Sequence, residues 1–350
     1  MSDVRWPQIL TTLLRGDDLD EATALRVMRE LMTGDAETGQ IAGLLTALRA
    51  KGEHAPEIAG FVRGMLEAAT PISLDPAIRD RLVDTCGTGG DGAGTFNIST
   101  VAAVIVAAAG VPVAKHGNRA ASGTCGSADL LEAWGVAIDL PPAAVTTCLD
   151  ELGIGFLYAR SFHPAMRHVA PVRVQLGVRT VFNILGPLAN PAGAPHQVVG
   201  VSDLALGQPM AEALARLGKR RALVFRGRDG LDELTLSGPS DVWEVRGGQV
   251  TQGEIDPADL GLAPATLEDL VGGSVADNVA IADAILAGES GPKRDVVLLN
   301  AAAALWVAGA VDDLSAGLRA ASAVLDDGRA AALRTRWVAR SKELAGTRDG

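Results

Sequence analysis

The chain has 350 residues, 48% of them hydrophobic and 21% charged, with a formal net charge of −11 at pH 7. This length suits about two domains and a full core, and the composition excludes a disordered chain. The acidic balance excludes a general nucleic-acid binder, and the longest apolar run, residues 101–114, is broken by Gly110 and Pro112, short of the ~20 residues of a membrane span.

The N-terminal part reads as helices only. Residues 19–32 carry Leu19, Ala22, Leu25, Met28, Leu31 and Met32 at helical spacing, and Gly34 supplies a cap. Residues 41–50 and 55–69 repeat the pattern, and no strand-like alternation precedes Leu82. From there strands are expected at 81–86, 111–114, 137–140 and 154–158, separated by helices at 99–109, 128–134 and 142–152. Such alternation predicts parallel β-α-β units with ligands at the carboxyl ends of the strands. Residues 163–177 read as an arginine-rich helix. Strands at 197–201 and 222–225 flank a helix at 206–217. Residues 234–250 read as a polar hairpin turning at Gly247-Gly248, and helices follow from residue 266 to a frayed end at 346–350. The expected division is a small all-helical domain, residues 1–75, and a larger α/β domain with a mainly parallel central sheet, residues 76–350. No charged segment followed by an apolar one opens the chain, so no signal peptide is expected. Cys86, Cys125 and Cys148 form no CxxC pair, which fits a reducing cytoplasm and offers no zinc framework.

Two glycine-rich loops close the first two strands. The first, from Cys86 to Thr100, contains a GxGxxG string at Gly87, Gly89 and Gly92. A dinucleotide site needs an acid about 20 residues on, closing the second strand. That strand ends instead in Lys115-His116. A phosphate site fits better, because glycines let backbone N–H groups approach anionic oxygens at a helix N-terminus. Thr95, Asn97, Ser99 and Thr100 add polar groups there, though Ser99 or Thr100 could serve simply as a cap. The second loop runs Lys115-His116-Gly117-Asn118-Arg119-Ala120-Ala121-Ser122-Gly123-Thr124-Cys125-Gly126-Ser127. Two such loops at one sheet edge suggest a ligand with two anionic ends, against the alternative of a surface turn and a solvated basic loop. Asp232-Glu233 can hold Mg²⁺, which takes few protein ligands and bridges phosphates, or can merely be solvated. On a helix, His163 and Arg173 would lie about 80° apart and flank one groove. Arginine there suits a planar carboxylate, against the alternative of a solvated face. Cys125, near Lys115 and Arg119, is expected to be either a reactive thiol of lowered pKa or an inert filler.

Gly87-Thr-Gly-Gly-Asp91-Gly with Thr95-Phe-Asn-Ile-Ser-Thr100, Lys115-His-Gly-Asn-Arg119 with Gly126-Ser-Ala-Asp129, His163-Pro-Ala-Met166 through Val172-Arg173, Arg179-Thr-Val-Phe-Asn-Ile-Leu-Gly-Pro-Leu-Ala-Asn-Pro191, and Asp232-Glu233 follow one another in order. Together they resemble the anthranilate phosphoribosyltransferases, from the helical N-terminus to about residue 310. The resemblance implies a nucleoside phosphorylase/phosphoribosyltransferase-like fold, with a helical excursion near residues 163–180 packing on the helical domain. It implies transfer of phosphoribose from 5-phosphoribosyl 1-pyrophosphate (PRPP) to the amine of anthranilate, in tryptophan biosynthesis, with two Mg²⁺ ions per subunit. By the same resemblance Gly87, Gly90, Asp91, Thr95, Asn97, Ile98, Ser99 and Thr100 contact the diphosphate and ribose. Lys115, His116, Gly117, Asn118, Arg119, Ala120, Ala121, Ser122, Gly123 and Ser127 surround the phosphoribosyl group. Gly87, Asn118 and Arg173 contact anthranilate, with His116 and His163 nearby. Ser99, Asp232 and Glu233 hold magnesium, and Lys115, Asp232 and Glu233 carry the catalysis. The implied assembly is a homodimer through the helical domain, in the cytoplasm, with no nucleic acid and no membrane. The departure is Thr124-Cys125, where the family often has lysine and serine. Two alternatives stand beside this reading: a pyrimidine nucleoside phosphorylase-like enzyme, which would need a nucleobase site, and a non-catalytic nucleic-acid-binding relative, which would need basic patches and an eroded magnesium pair.

Overall fold

The computed structural model describes residues 4–120 and 123–346. Ala121 and Ser122, expected in the second glycine loop, and residues 347–350, expected to fray, lie outside the described residues. Four helices open the chain: α1 (Trp6–Leu14), α2 (Glu21–Thr33), α3 (Thr38–Lys51) and α4 (Ala55–Glu67). Their limits follow local chemistry. The Asp20 carboxylate accepts from the N–H of Thr23 at the start of α2, and Gly34 ends it in the left-handed conformation (φ 84°). Helices α1 and α5 (Pro76–Arg79) were not legible as periodic segments.

The larger part alternates β1 (Val83–Gly87), α6 (Ile98–Ala108), β2 (Val113–Gly117), α7 (Ser127–Trp134), α8 (Pro142–Leu152) and β3 (Ile154–Tyr158). An excursion follows: α9 (Ala159–Phe162), a 3₁₀ turn at Pro164–His168, α10 (Ala170–Leu176) and α11 (Phe182–Leu188). Then come β4 (His196–Gly200), α12 (Gly207–Arg216), β5 (Arg221–Gly227), the hairpin β6 (Ser240–Arg246) and β7 (Gln249–Ile255), and helices α13 (Val275–Leu286), α14 (Pro292–Val307), α15 (Leu314–Asp326) and α16 (Arg329–Gly346). The sheet order is β3-β2-β1-β4-β5-β6-β7. Strands β1 to β5 run parallel, and β6 and β7 are antiparallel additions. Gly247 and Gly248, both at positive φ, make the β6–β7 turn as expected.

Two expectations fail. Residues 137–140 form no strand. Ile138 and Leu140 are buried in the core, so the alternation was real, but the Ala137 N–H is taken by the Ser341 hydroxyl, and Pro141-Pro142 redirect the chain into α8. Residues 163–177 are not one helix either. Pro164 and Pro171, lacking an N–H, can only begin helical turns, and each does so.

Consecutive residues of β4 and β5 face different cores. Val198, Leu223 and Phe225 join the cluster with α6 and α14. Val199, Ala222 and Val224 join an apolar cluster that runs through α12 and α11 into the helical bundle. Both faces of the sheet are therefore covered, and ligands have access only at its ends.

Candidate active site

Gly87, the last residue of β1, pairs in register with Gly200, the last of β4. Because β2 and β4 flank β1, this is the point where strand order reverses and a crevice opens. Both glycines face Asp232. A Cβ on Gly200 would collide with the Asp232 carbonyl, and one on Gly87 would press on its carboxylate. Gly200→Ala is therefore expected to lower stability by about 1–3 kcal/mol, read as a fall in thermal midpoint.

Asp232 and Glu233, after β5, reach the first glycine loop. The Asp232 carboxylate accepts from the N–H of Gly89 at 2.6 Å, and its own N–H donates to Asp91 Oδ2 at 3.4 Å. Glu233 Oε1 accepts from the N–H of Ser99 at 3.2 Å. Burial and the charge of Asp91 push the Asp232 carboxyl up to about 7. Burial and Asp232 push Glu233 well above the carboxylate range. Crowded carboxylates are thus held where a cation would relieve them.

Lys115, at the end of β2, is 2% exposed. Its ammonium donates to the Thr85 carbonyl at 2.6 Å and the Ser99 hydroxyl at 3.3 Å. Burial lowers its pKa, opposed first by Asp84. Asp84 itself, fully buried on β1, accepts from the N–H of His116 at 3.1 Å. Asn97 precedes α6 without capping it through its side chain, and instead donates to the Cys125 carbonyl at 3.0 Å. Neither Ser99 nor Thr100 is the cap. Ile98 is buried, and the Thr100 hydroxyl is buried without a partner among the described residues. Thr95 pairs through its backbone with Val271. The Ser127 hydroxyl donates to the Asn118 carbonyl at 3.2 Å and occupies the space over Gly117. Arg119 turns from the crevice to a bidentate pair with Glu132 and a bond to Asp129, which also accepts from the N–H of Ala120. Gly123, in the same loop, has φ 96°.

The thiol of Cys125 is not activated. Burial and the Asp129 charge push it up to about 11, and it donates to Asn97 Oδ1 at 3.1 Å. Arg119, expected to lower it, is spent on carboxylates. Thr124 donates through its hydroxyl to the Gly273 carbonyl.

On the opposite side of the sheet end, His116 and His163 face each other with ring centroids 5.2 Å apart. His116 Nδ1 donates to the Gly186 carbonyl at 3.1 Å, and His163 Nε2 to that of Ala189 at 2.9 Å. Both carbonyls lie at the end of α11, where that of Gly186 also accepts from the N–H of Ala189. His116 Nε2 is buried without a partner among the described residues. Burial and His163 pull the His116 pKa down to about 3, so the ring is neutral at pH 7. The unfolded chain takes up a proton below about 6.5 that the native site refuses, so this histidine costs stability as pH falls from there. His116→Asn is expected to shrink the stability lost between pH 7 and 5 by roughly 2 kcal/mol, measured by urea denaturation at both pH values. Arg173, on α10, is half-buried and stacks 5.5 Å above the Phe182 ring. It donates to Asn183 Oδ1 at 3.4 Å. The broken excursion, not a single helical face, sets His163 against His116 and Arg173 against Phe182 and Asn183.

Sequence reasoning missed Asp84, Gln197 and Arg179. Gln197 donates to the Pro187 carbonyl at 2.6 Å, and Arg179 donates to the first glycine loop. Only the polar type of Asp84 and Gln197 inside apolar strands could have marked them.

Residues 79–331 match the family described as "Glycosyl transferase family, a/b domain", and residues 7–69 match "Glycosyl transferase family, helical bundle domain". The chain is 53% identical to the anthranilate phosphoribosyltransferase of Moorella thermoacetica, covering 92% of this chain and 94% of that one. Among solved structures, that of the anthranilate phosphoribosyltransferase from Thermus thermophilus is similar with a TM-score of 0.90 and 50% identity, covering 95% and 99% of the two chains. The Saccharomyces cerevisiae enzyme, solved in complex with PRPP and Mg, has a TM-score of 0.88 at 25% identity, covering 98% and 99%. The anthranilate phosphoribosyltransferase of Roseiflexus sp. (strain RS-1) is 56% identical over 94% of this chain and 96% of its own, and the chain belongs to the anthranilate phosphoribosyltransferase family.

Proposed function

We propose that this chain transfers the phosphoribosyl group of PRPP to the amine of anthranilate, releasing pyrophosphate, in tryptophan biosynthesis in the cytoplasm. The observation that carries this reading is convergence. Two glycine loops and the Asp232-Glu233 pair meet at the switch point of the sheet, with a half-buried arginine, Arg173, in the excursion beside it.

The donor would lie along the two loops, with Gly90, Asp91 and residues 95–100 on its diphosphate side and residues 115–120, 123 and 127 around the phosphoribosyl group. Anthranilate would lie toward Gly87, Asn118, His116 and His163, its carboxylate on Arg173. The donor set fits Mg²⁺. Asp91, Asp232 and Glu233 are acidic, mutually repelling and buried, and the Ser99 hydroxyl lies within reach of Lys115 above Glu233. No cluster of three His, Cys, Asp or Glu among the described residues forms a ready-made cage, which suits an ion that keeps water and phosphate ligands. Two such ions per subunit would be shared by Ser99, Asp232 and Glu233. Magnesium would neutralise charge developing on the leaving pyrophosphate. Lys115 adds positive potential from a buried position, and the loop N–H groups are already oriented, so little reorganisation is needed as the bond breaks. The amine of anthranilate is weakly basic and free at pH 7, so positioning by Arg173 replaces a strong general base.

The helical bundle would form a homodimer. Leu14 on α1 is 77% exposed, and Val174 on α10, which packs against α3, is 81% exposed, so both are available to a second copy of the chain. Sedimentation velocity is expected to give a dimer that Leu14→Glu converts to a monomer. A monomeric parent chain at micromolar concentration would remove this assembly. The activity itself is tested by loss of anthranilate fluorescence, which should require both PRPP and Mg²⁺. Consumption without PRPP, or none with all three components, would overturn the reading.

A further inference from the structure

The basic groups around the crevice are spent differently. Lys115 is buried against Thr85 and Ser99, Arg119 is paired with Asp129 and Glu132, and Arg173 rests on Phe182 and Asn183. Arg179 instead donates to backbone. Its Nη1 lies 2.6 Å from the Gly89 carbonyl oxygen and its Nη2 3.4 Å from that of Thr88. The guanidinium passes through the space that a side chain on Gly90 would fill, and Gly90 holds φ 80°.

A planar trans peptide points its carbonyl and the following N–H in opposite directions. Holding the Thr88 carbonyl therefore turns the N–H of Gly89 away from Arg179, and there it donates to the Asp232 carboxylate at 2.6 Å. Holding the Gly89 carbonyl, which also accepts from the Ser202 hydroxyl at 3.0 Å, turns the N–H of Gly90 away from the guanidinium in the same manner. The arginine is itself fixed by the segment after α10, where the N–H of Thr180 donates to Asn183 Oδ1 at 3.0 Å. That same carboxamide oxygen accepts from Arg173.

We infer that Arg179 is a positioning residue for the diphosphate site: its planar fork sets the peptides of residues 88–90, so that the Gly89 N–H holds Asp232 and the Gly90 N–H is presented to an anionic oxygen. This rests on reading the first glycine loop as the diphosphate site. A lysine would keep the charge without the fork.

The test is calorimetric titration of the full chain with inorganic pyrophosphate and Mg²⁺, beside steady-state kinetics. Arg179→Gln is expected to weaken pyrophosphate about tenfold, as loss of a charged hydrogen bond does. KM for PRPP should rise in parallel, with KM for anthranilate changed less than about twofold. Arg179→Lys and Gly90→Ala are expected to show the same selective loss. If Arg179→Gln lowers the thermal midpoint, Arg179→Lys carries the comparison. Wild-type pyrophosphate affinity in Arg179→Gln or in Arg179→Lys overturns the inference, as does an equal rise in both KM values. Weakened pyrophosphate binding in a chain that fails to consume anthranilate would support the inference and sink only the proposed acceptor.

Discussion

The double variant Asp232→Asn, Glu233→Gln is expected to lose about 100- to 1000-fold in kcat while its thermal midpoint stays level or rises. The two effects have opposite signs for one reason. Both carboxyls are pushed above their ordinary pKa values by burial and then by a neighbouring carboxylate, Asp91 for Asp232 and Asp232 for Glu233. For an acid the sign is plain: the native chain binds protons that the unfolded chain has released, so stability falls as pH climbs from about 4 toward 7. Neutral amides remove that cost, along with the charge that would hold the cation. Activity is measured by anthranilate fluorescence at limiting Mg²⁺, and stability by a circular dichroism melt at pH 7. Wild-type turnover at limiting Mg²⁺ would end the metal assignment, and a collapsed melt would mean the pair is structural.

Arg173→Ala is expected to raise KM for anthranilate about 10- to 100-fold, from about 1.5–3 kcal/mol for a charge-assisted bond to an ionised group, with KM for PRPP nearly unchanged. The structure sharpens this expectation. Among the described residues the guanidinium has only a long bond to Asn183 and a ring face beneath it, and burial lowers its pKa from the arginine value. It is therefore partly desolvated without a strong partner, which raises the value of a carboxylate arriving there. Equal losses for both substrates would take Arg173 out of the acceptor site.

The sheet and both glycine loops were legible because their signals are local. Apolar runs ending in glycines mark the strands, and β3 and α8 fall at the residues expected. Residues 137–140 show where that logic stops. Val136, Ile138 and Leu140 alternate and are buried, yet a strand also needs a neighbour with free backbone groups, and pairing is not local. The excursion was misread for a related reason. Its arginines and histidines mimic a helical face, while Pro164 and Pro171 divide it. Arg179 stands within a quoted motif, but its role depends on reaching Gly89, ninety positions earlier in the chain. Cys125 lies beside the basic groups by sequence, but Arg119 is diverted by Glu132, a residue seven positions downstream of that cysteine.

The apolar cluster shared by the bundle, α11, α12 and one face of the sheet constrains how substrates enter. A hinge swinging the bundle outward would bare the apolar side chains between α4 and α12 to water, at about 25 cal/mol for each Å² exposed. Sliding of α4 along α12, which pack together, keeps those side chains covered, so shear is the cheaper motion. Access to the crevice is then expected to change without a swing of the bundle. Substrate and product are expected to pass at the mouth of the crevice while the bundle stays packed on α12.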